Sequence, residues 1–314
     1  MKFDPDQLAA LAAVVEGGTF DAAAAALHVT PSAVSQRVRA LERQAGQVLV
    51  LRTRPCRPTP AGAVLVRLAG QLTTLDADAA AALGVGTGIG TGIGIGTGAG
   101  TGAVRVGVAV NADSLATWFP SALGGLGEEV VVDLHREDQD RTAQLLRDGV
   151  VMAAVTSDAT PVQGCRSRPL GAMRYRAMAA PAFAARWFPD GPVPEVWVRA
   201  PAVAFTADDR LQHRFVESLP GGRPVLGPMH HVPSHPAYVA VIAAGLGWGM
   251  VSEHEADAFA GSGTLVDLAP GRHLDVALHW QRWSVPAAVL LDLTERVVAA
   301  AAAALRPVAA PSAV

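Results

Sequence analysis

Residues 30–46 read Thr30-Pro31-Ser32-Ala33-Val34-Ser35-Gln36-Arg37-Val38-Arg39-Ala40-Leu41-Glu42-Arg43-Gln44-Ala45-Gly46. Thr30 is suited to cap a helix, Pro31 fits the first helical position where no N–H is needed, and Gly46 can end the helix with a positive φ. The stretch therefore predicts one bounded helix. Val34, Val38, Leu41 and Ala45 fall on one face, and Ser32, Gln36, Arg39 and Arg43 on the other. The first face is suited to a core. On the second, short polar groups and guanidinium ions match phosphates and base edges, with Glu42 as the only acid in the helix.

The flanks extend this helix into a module. Leu8, Leu11, Ala12 and Val15 recur at helical spacing before Gly17-Gly18, and Thr19 can cap an Ala-rich helix from Phe20 to Leu27. Three short helices, the last exposing Ser, Gln and Arg, make a helix-turn-helix. Val48 to Leu51 then reads as a strand, and Arg52-Thr53-Arg54-Pro55-Cys56-Arg57-Pro58 as a basic wing. Thr59-Pro60 opens a long helix in which Leu65, Leu68, Leu72, Leu75 and Ala79 alternate at spacings of three and four. That seam suits pairing with a second copy of the helix, the alternative being packing on its own domain.

The charge distribution points the same way. The 314 residues carry a formal charge of −3, yet residues 1–67 hold eight Lys or Arg against five acids, and residues 30–60 hold six Arg against Glu42. A local basic patch on an acidic chain suggests one nucleic-acid module joined to another of different purpose. Half of the residues are apolar, enough for several cores, and the length predicts two or three domains. Cys56 and Cys165 match no metal or disulfide spacing, which fits a reducing cytoplasm. The N-terminus lacks the layout of a signal peptide, and Ala237 to Val251 is short and broken by glycines, so a soluble protein without a membrane partner is expected.

Beyond the long helix, residues 84–102 place glycine at every second position and read as a flexible linker. From Val104 strands and helices alternate: strands at Val104–Val110, Val130–Leu134 and Val150–Val155, helices at Ser114–Leu123 and Thr142–Arg147. A second set has strands at Ala202–Phe205, His230–Val232 and Trp248–Val251 and helices at Asp208–Ser218 and Pro236–Ala244. Leu170–Ala180 and Leu274–Trp283 are candidate crossing strands, and Pro286–Leu305 a closing helix. Repeated βαβ units imply two mainly parallel α/β lobes, with ligands expected at the carboxyl ends of the strands in a cleft. There the sequence places Asn111, Asp113, Ser114, Glu137, Asp138, Asp208, Ser234 and His235. Converging carboxylates suit a cationic ligand, although Asp113 and Asp208 could be plain helix caps, Glu137-Asp138 a solvated turn and His235 a cap or hinge. His230-His231 reads as packing, because no further ligand stands at metal spacing.

The chain resembles the LysR-type transcriptional regulators over nearly its whole length. The resemblance rests on Phe20 to Leu27, Thr30 to Gln36, Leu41-Glu42, Gly46, Leu49 to Arg52 and Thr59-Pro60-Ala61-Gly62. It implies a multidomain fold: a winged helix-turn-helix over about residues 1–58, a dimerising linker helix at 59–83, the linker at 84–102, and a two-lobed, periplasmic-binding-protein-like α/β effector domain at 103–314. The first lobe is expected at about 103–180 and 275–314, the second at about 181–274. Residues 84–102 depart from the family, whose members have a shorter connection here. Asn111 to Trp118, Glu137-Asp138 with Arg141-Thr142, and Val203 to Phe205 with Asp208-Asp209 resemble the ArgP/LysG branch, which implies sensing of lysine, arginine or related amino acids and activation of their export. Ser114 would then hold the α-carboxylate while Asp113, Glu137, Asp138 or Asp208 take the cations.

On this reading the partners are an operator duplex, further copies of the chain in a dimer or tetramer, and RNA polymerase; no cofactor or metal is expected beyond the small-molecule effector. Ser32, Ser35, Gln36 and Arg39 are the candidates for base edges, with Thr30 at the helix start; Arg37, Arg43, Arg52, Arg54 and Arg57 are the candidates for phosphate. Two other classes compete. An enzyme would need a phosphate loop, a nucleophile elbow or a metal motif, none of which occurs, and Cys165 stands alone. A solute-binding protein, or a LysR-type regulator of another effector, accounts for the lobes, but the former leaves the basic module without a purpose.

Overall fold

The computed structural model describes residues 2–83, 104–128, 130–136, 139–221 and 225–307. The Gly-rich stretch at 84–102 and the candidate ligands Glu137 and Asp138 lie outside the described residues. The first three helices are α1 (Pro5–Gly17), α2 (Phe20–Ala26) and α3 (Pro31–Ala45). Each is capped by a side chain: Asp4 accepts from the N–H groups of Asp6 and Gln7, Thr19 from Ala22, and Thr30 from Ala33. Gly46 ends α3 at φ 70°, as its place in the sequence predicts. Leu8, Leu11 and Val14 of α1 meet Ala23 and Ala24 of α2 and Val34, Val38 and Leu41 of α3 in one buried core. Burial of each larger aliphatic side chain contributes about 1.5–3 kcal/mol.

A short hairpin follows, β1 (Val50–Leu51) antiparallel to β2 (Arg57–Pro58), and then α4 (Pro60–Ala82). The strand is shorter than the apolar run suggests, because Val48 is exposed and its carbonyl accepts from the Thr59 hydroxyl at 2.8 Å. Thr59 also caps α4, accepting from Gly62 N–H at 3.0 Å. The proposed dimer seam is partly engaged within the chain. Leu65 is buried in the core of the three-helix module, and Leu68 and Leu72 pack against it, whereas Leu75 is 42% exposed.

The remaining elements run β3 (Val104–Val110), α5 (Ala112–Ala116), α6 (Phe119–Ala122), β4 (Val130–Arg136), α7 (Gln139–Asp148), β5 (Ala153–Thr156), β6 (Cys165–Ala179), α8 (Pro181–Trp187) and α9 (Pro194–Trp197). Then come β7 (Ala202–Ala204), α10 (Leu211–Ser218), β8 (Met229–His231), α11 (His235–Ala243), β9 (Gly249–Ser252), α12 (Glu253–Gly261), β10 (Val266–Asp267), β11 (Leu274–Trp283) and α13 (Ala288–Ala304). The helix expected at Ser114–Leu123 is broken into α5 and α6. Pro120 has no N–H to give to Ala116 and its ring clashes with that carbonyl, so one continuous helix cannot form.

The chain forms two compact units. The first holds Met1–Asn111, Ser121–Pro169 and His279–Val298. In it β3 pairs in parallel with β4 and β5, and the second half of β11 runs antiparallel to β5. Helix α4 is fastened to this α/β layer at two places. The Arg67 guanidinium donates to the Gln163 carbonyl at 2.9 Å, and the Asp78 carboxylate accepts from the Ala288 N–H, at the start of α13, at 2.9 Å. The second unit holds Ala112–Pro120, Leu170–Leu278 and Ala299–Val314. There β6 pairs antiparallel with β9 and β10, and β7 lies parallel to β8. Trp197, Phe215 and Trp248 fill one part of its core, with the indoles of Trp197 and Trp248 edge to face at 4.7 Å. The first unit has the parallel β3–β4 and β3–β5 pairs that the alternation predicts, whereas in the second the pairs of β6 are antiparallel and only β7–β8 is a parallel strand pair among the described residues; β6 and β11 contribute residues to both units.

Gly62 carries a testable consequence. A Cβ there would run into the backbone carbonyl of Leu49, which cannot swing aside like a side chain. Gly62→Ala is expected to lower stability by about 1–3 kcal/mol, read as a lower urea midpoint at unchanged slope.

Candidate functional site

The polar face of α3 emerges as its periodicity predicts. Ser32, Gln36, Arg39 and Arg43 are exposed and Ser35 is half-buried. The Thr30 and Ser32 hydroxyls lie 3.1 Å apart. Glu42 is turned to structural use: its carboxylate accepts from Leu49 N–H at 3.0 Å. The one acid of the helix is therefore taken up by the chain itself. Arg37 is tied back to α1, donating to Asp6 at 3.0 Å, so its place among the phosphate candidates is shared with an ion pair. On the wing Arg52, Arg54 and Arg57 are exposed, and the Arg52 guanidinium sits over the Phe20 ring, 5.0 Å from its centroid. Cationic groups thus line both the helix and the wing, the arrangement by which a helix enters the major groove and a wing follows the backbone.

In the second unit a distinct cluster forms around His235, at the start of α11. Its Nδ1 lies 3.3 Å from Asp113 Oδ1 and its Nε2 2.9 Å from Glu255 Oε1. The other oxygen of each carboxylate is also held: Tyr175 donates its hydroxyl to Asp113 Oδ2 at 2.7 Å, and Ser252 donates to Glu255 Oε2 at 3.0 Å. His235 and Asp113 are each only 14% exposed as side chains. The hydrogen bonds to Asp113 and then to Glu255 raise the imidazole to about 9 against the pull of burial. Burial pushes Glu255 upward, but the bonds from His235 and Ser252 hold it below the ordinary range. Next to this cluster Phe205 stacks on Tyr238 at 4.7 Å, and burial raises Asp209 although it accepts from the N–H groups of Leu211 and Phe205.

The sequence-based candidates divide accordingly. Asp113, Ser114 and His235 lie in this unit, and the Ser114 hydroxyl is fully buried without a hydrogen-bond partner. Asn111 belongs to the first unit, where its side-chain oxygen is also buried and unpartnered. Asp208 is exposed, and its neighbour Asp209 is the acid turned inward to bind backbone. Ser234 is exposed and makes no side-chain cap; its carbonyl begins the helix by accepting from Tyr238 N–H at 2.7 Å. His235, read as a cap or hinge, is the centre of the cluster. Tyr175 and Glu255 escaped sequence reading. Glu255 had a signal, since Ser252-x-x-Glu255 has the spacing of a capping box before a helix, whereas nothing in the crossing strand marks Tyr175. Cys165 offers no nucleophile: burial pushes its thiol up to about 11 despite the nearby Arg67. Among the described residues no group of His, Cys, Asp and Glu is arranged to hold a metal, and no single helix is long and apolar enough to cross a membrane.

A winged helix-turn-helix carrying a basic face, joined to an α/β domain with a partly buried polar cluster, defines a ligand-responsive DNA-binding regulator. The chain belongs to the LysR family: residues 5–63 match the bacterial regulatory helix-turn-helix protein model of that family, and residues 97–302 match the LysR substrate binding domain. It is a transcriptional regulator and not an enzyme. It is 45% identical over 300 residues to the transcriptional regulator LysG of Mycobacterium tuberculosis, covering 96% of this chain and 94% of the relative. The crystal structure of ArgP from Mycobacterium tuberculosis matches 98% of this chain and all of its own with a TM-score of 0.86 at 45% identity. Full-length LysG from Corynebacterium glutamicum with bound effector Arg matches 97% of this chain and all of its own with a TM-score of 0.75 at 36% identity.

The geometry around His235 sets a pH dependence. A folded value near 9 against an ordinary 6.5 means that its stabilisation is complete below about pH 6.5 and is lost as pH rises through about 9. The stability difference between the wild type and His235→Gln is expected to be largest near pH 6 and to shrink toward pH 9.5, measured by urea unfolding across that range.

Proposed function

We propose that this regulator senses a basic amino acid, lysine, arginine or a close relative, and activates an amino-acid export gene in the cytoplasm as a homodimer or a pair of dimers. The observation that carries the reading is the group of partly buried acids Asp113, Glu255 and Asp209, together with the buried, unpartnered hydroxyl of Ser114, the residue after Asp113. Carboxylates supply acceptors for ammonium or guanidinium groups, and a buried hydroxyl lacking a partner gains by donating to a ligand carboxylate. The arginine-bound LysG of Corynebacterium glutamicum supports the same ligand class.

On the DNA side, Ser32, Ser35, Gln36 and Arg39 read base edges while Arg43, Arg52, Arg54 and Arg57 position the protein on phosphate. A symmetric dimer would set two such helices one or more turns apart on a near-palindrome, with Leu75 in the exposed part of the α4 seam. Changes in the α/β layer would reach the DNA module through α4, which Arg67 and Asp78 fasten to that layer. RNA polymerase is the partner through which activation would act.

Calorimetry with lysine, arginine, histidine and a neutral amino acid should give heat for one or more of the basic ligands and none for the neutral one; four silent titrations would refute the effector reading. Gln36→Ala is expected to cost about 1–3 kcal/mol on the operator and relax preference at one base pair, whereas Arg54→Ala should weaken operator and random duplex alike. Equal losses on both duplexes for both variants would show that the division between base and phosphate contacts is wrong.

A further inference from the structure

We infer that His235 sets which cations the effector site accepts: held between Asp113 and Glu255, its imidazolium cancels one carboxylate charge and favours a basic amino acid over the matching carboxylate-free amine. This inference rests on the basic amino acid reading above and adds the residue that decides selectivity within it.

The geometry itself requires a charged ring. Both ring nitrogens face carboxylate oxygens, at 3.3 and 2.9 Å, and a neutral imidazole has only one N–H to offer. Three elements close on the ring: α5 brings Asp113, α12 brings Glu255, and the loop after β7 brings Phe205, whose ring centroid is 6.1 Å away. Among the described residues, the neutral hydroxyls of Tyr175 and Ser252 also donate to the two carboxylates. Asp209 adds a further acid to the neighbourhood, and Tyr238, with its hydroxyl buried beside it, stays neutral because burial raises it well above its ordinary value. Among the described residues, His235 is the one cationic group hydrogen-bonded to both acids.

Its charge acts on a ligand in two ways of the same sign. A basic amino acid carries a net single positive charge and a carboxylate, so an imidazolium attracts part of it. The decarboxylated amine has two positive charges and no carboxylate, so the imidazolium only repels it. Removing the ring's charge leaves the site one unit more negative, which rewards the dication more than the amino acid. At separations within one site and the effective dielectric of a protein, a unit charge changes such a preference by about tenfold or more.

The test is calorimetry on the full chain with arginine and with agmatine, which keeps the guanidinium and chain but lacks the carboxylate. The wild type should bind arginine more tightly. In His235→Gln the ratio of agmatine Kd to arginine Kd should fall by about tenfold or more, while His235→Lys, which keeps a cation, should retain more of the wild-type ratio. Glu255→Gln removes one negative charge instead and should move the ratio the opposite way, so a poorly folded His235 variant does not remove the test. A ratio unchanged within about twofold in both His235→Gln and Glu255→Gln, with arginine still bound, would overturn the role of His235. Failure of the wild type to bind arginine, lysine or histidine is a different result, which refutes the effector reading and this inference with it.

Discussion

Leu49 is the point at which the DNA-reading half of the molecule is held together. Its side chain is fully buried in the three-helix core, its N–H donates to Glu42 of α3 at 3.0 Å, and its carbonyl accepts from Thr59 N–H at 3.0 Å. The recognition helix, the wing and the start of α4 are thereby fixed to one residue. Gly62 completes the junction, since only a residue without Cβ lets the first turn of α4 lie against that carbonyl. Because an unpaired buried backbone group costs about 1–3 kcal/mol, disturbing any of these partners loosens the aim of the helix relative to the wing.

From this junction α4 continues to the α/β layer of the first unit. Its early turns belong to the DNA module through Leu65, Leu68 and Leu72, and its later turns to the α/β layer through Asp78, which caps α13 from 210 residues away. Gly149, at φ 73°, approaches the backbone of Arg67 closely enough that a Cβ there would lie 3.0 Å from it. Helix α4 therefore touches both the DNA module and the α/β layer. The glycine-rich segment after Leu83 is the covalent connection between them, but coupling does not have to run along it, because side-chain contacts on α4 bridge the same halves directly.

Charge is organised oppositely in the two units. On α3 the single acid is consumed by Leu49 N–H, leaving Arg39 and Arg43 exposed without an acid of their own helix beside them. In the second unit the acids are gathered and partly buried, and a single imidazole on one pair keeps their mutual repulsion within bounds. Like charges at short range are costly unless a counter-charge or hydrogen-bond donors accompany them, and His235, Tyr175 and Ser252 supply both.

Elements governed by short-range rules were legible in the chain. Capping residues, proline at the first helical turn, glycine at the end and apolar spacing located α1 to α3 within a residue or so, and the alternation of strand and helix located most of the two α/β layers. The acidic and polar loops are also visible in the chain, and they contain Asp113 and lead into His235. Which acids would meet is not. Asp113 and His235 stand 122 positions apart, Tyr175 comes from the middle of a crossing strand, and Asp209 rather than Asp208 turns inward. Local sequence determines conformation because its forces act over a turn or two of chain. The pairing of charges depends on strand register and helix packing across distant segments, and so only the tertiary structure decided it.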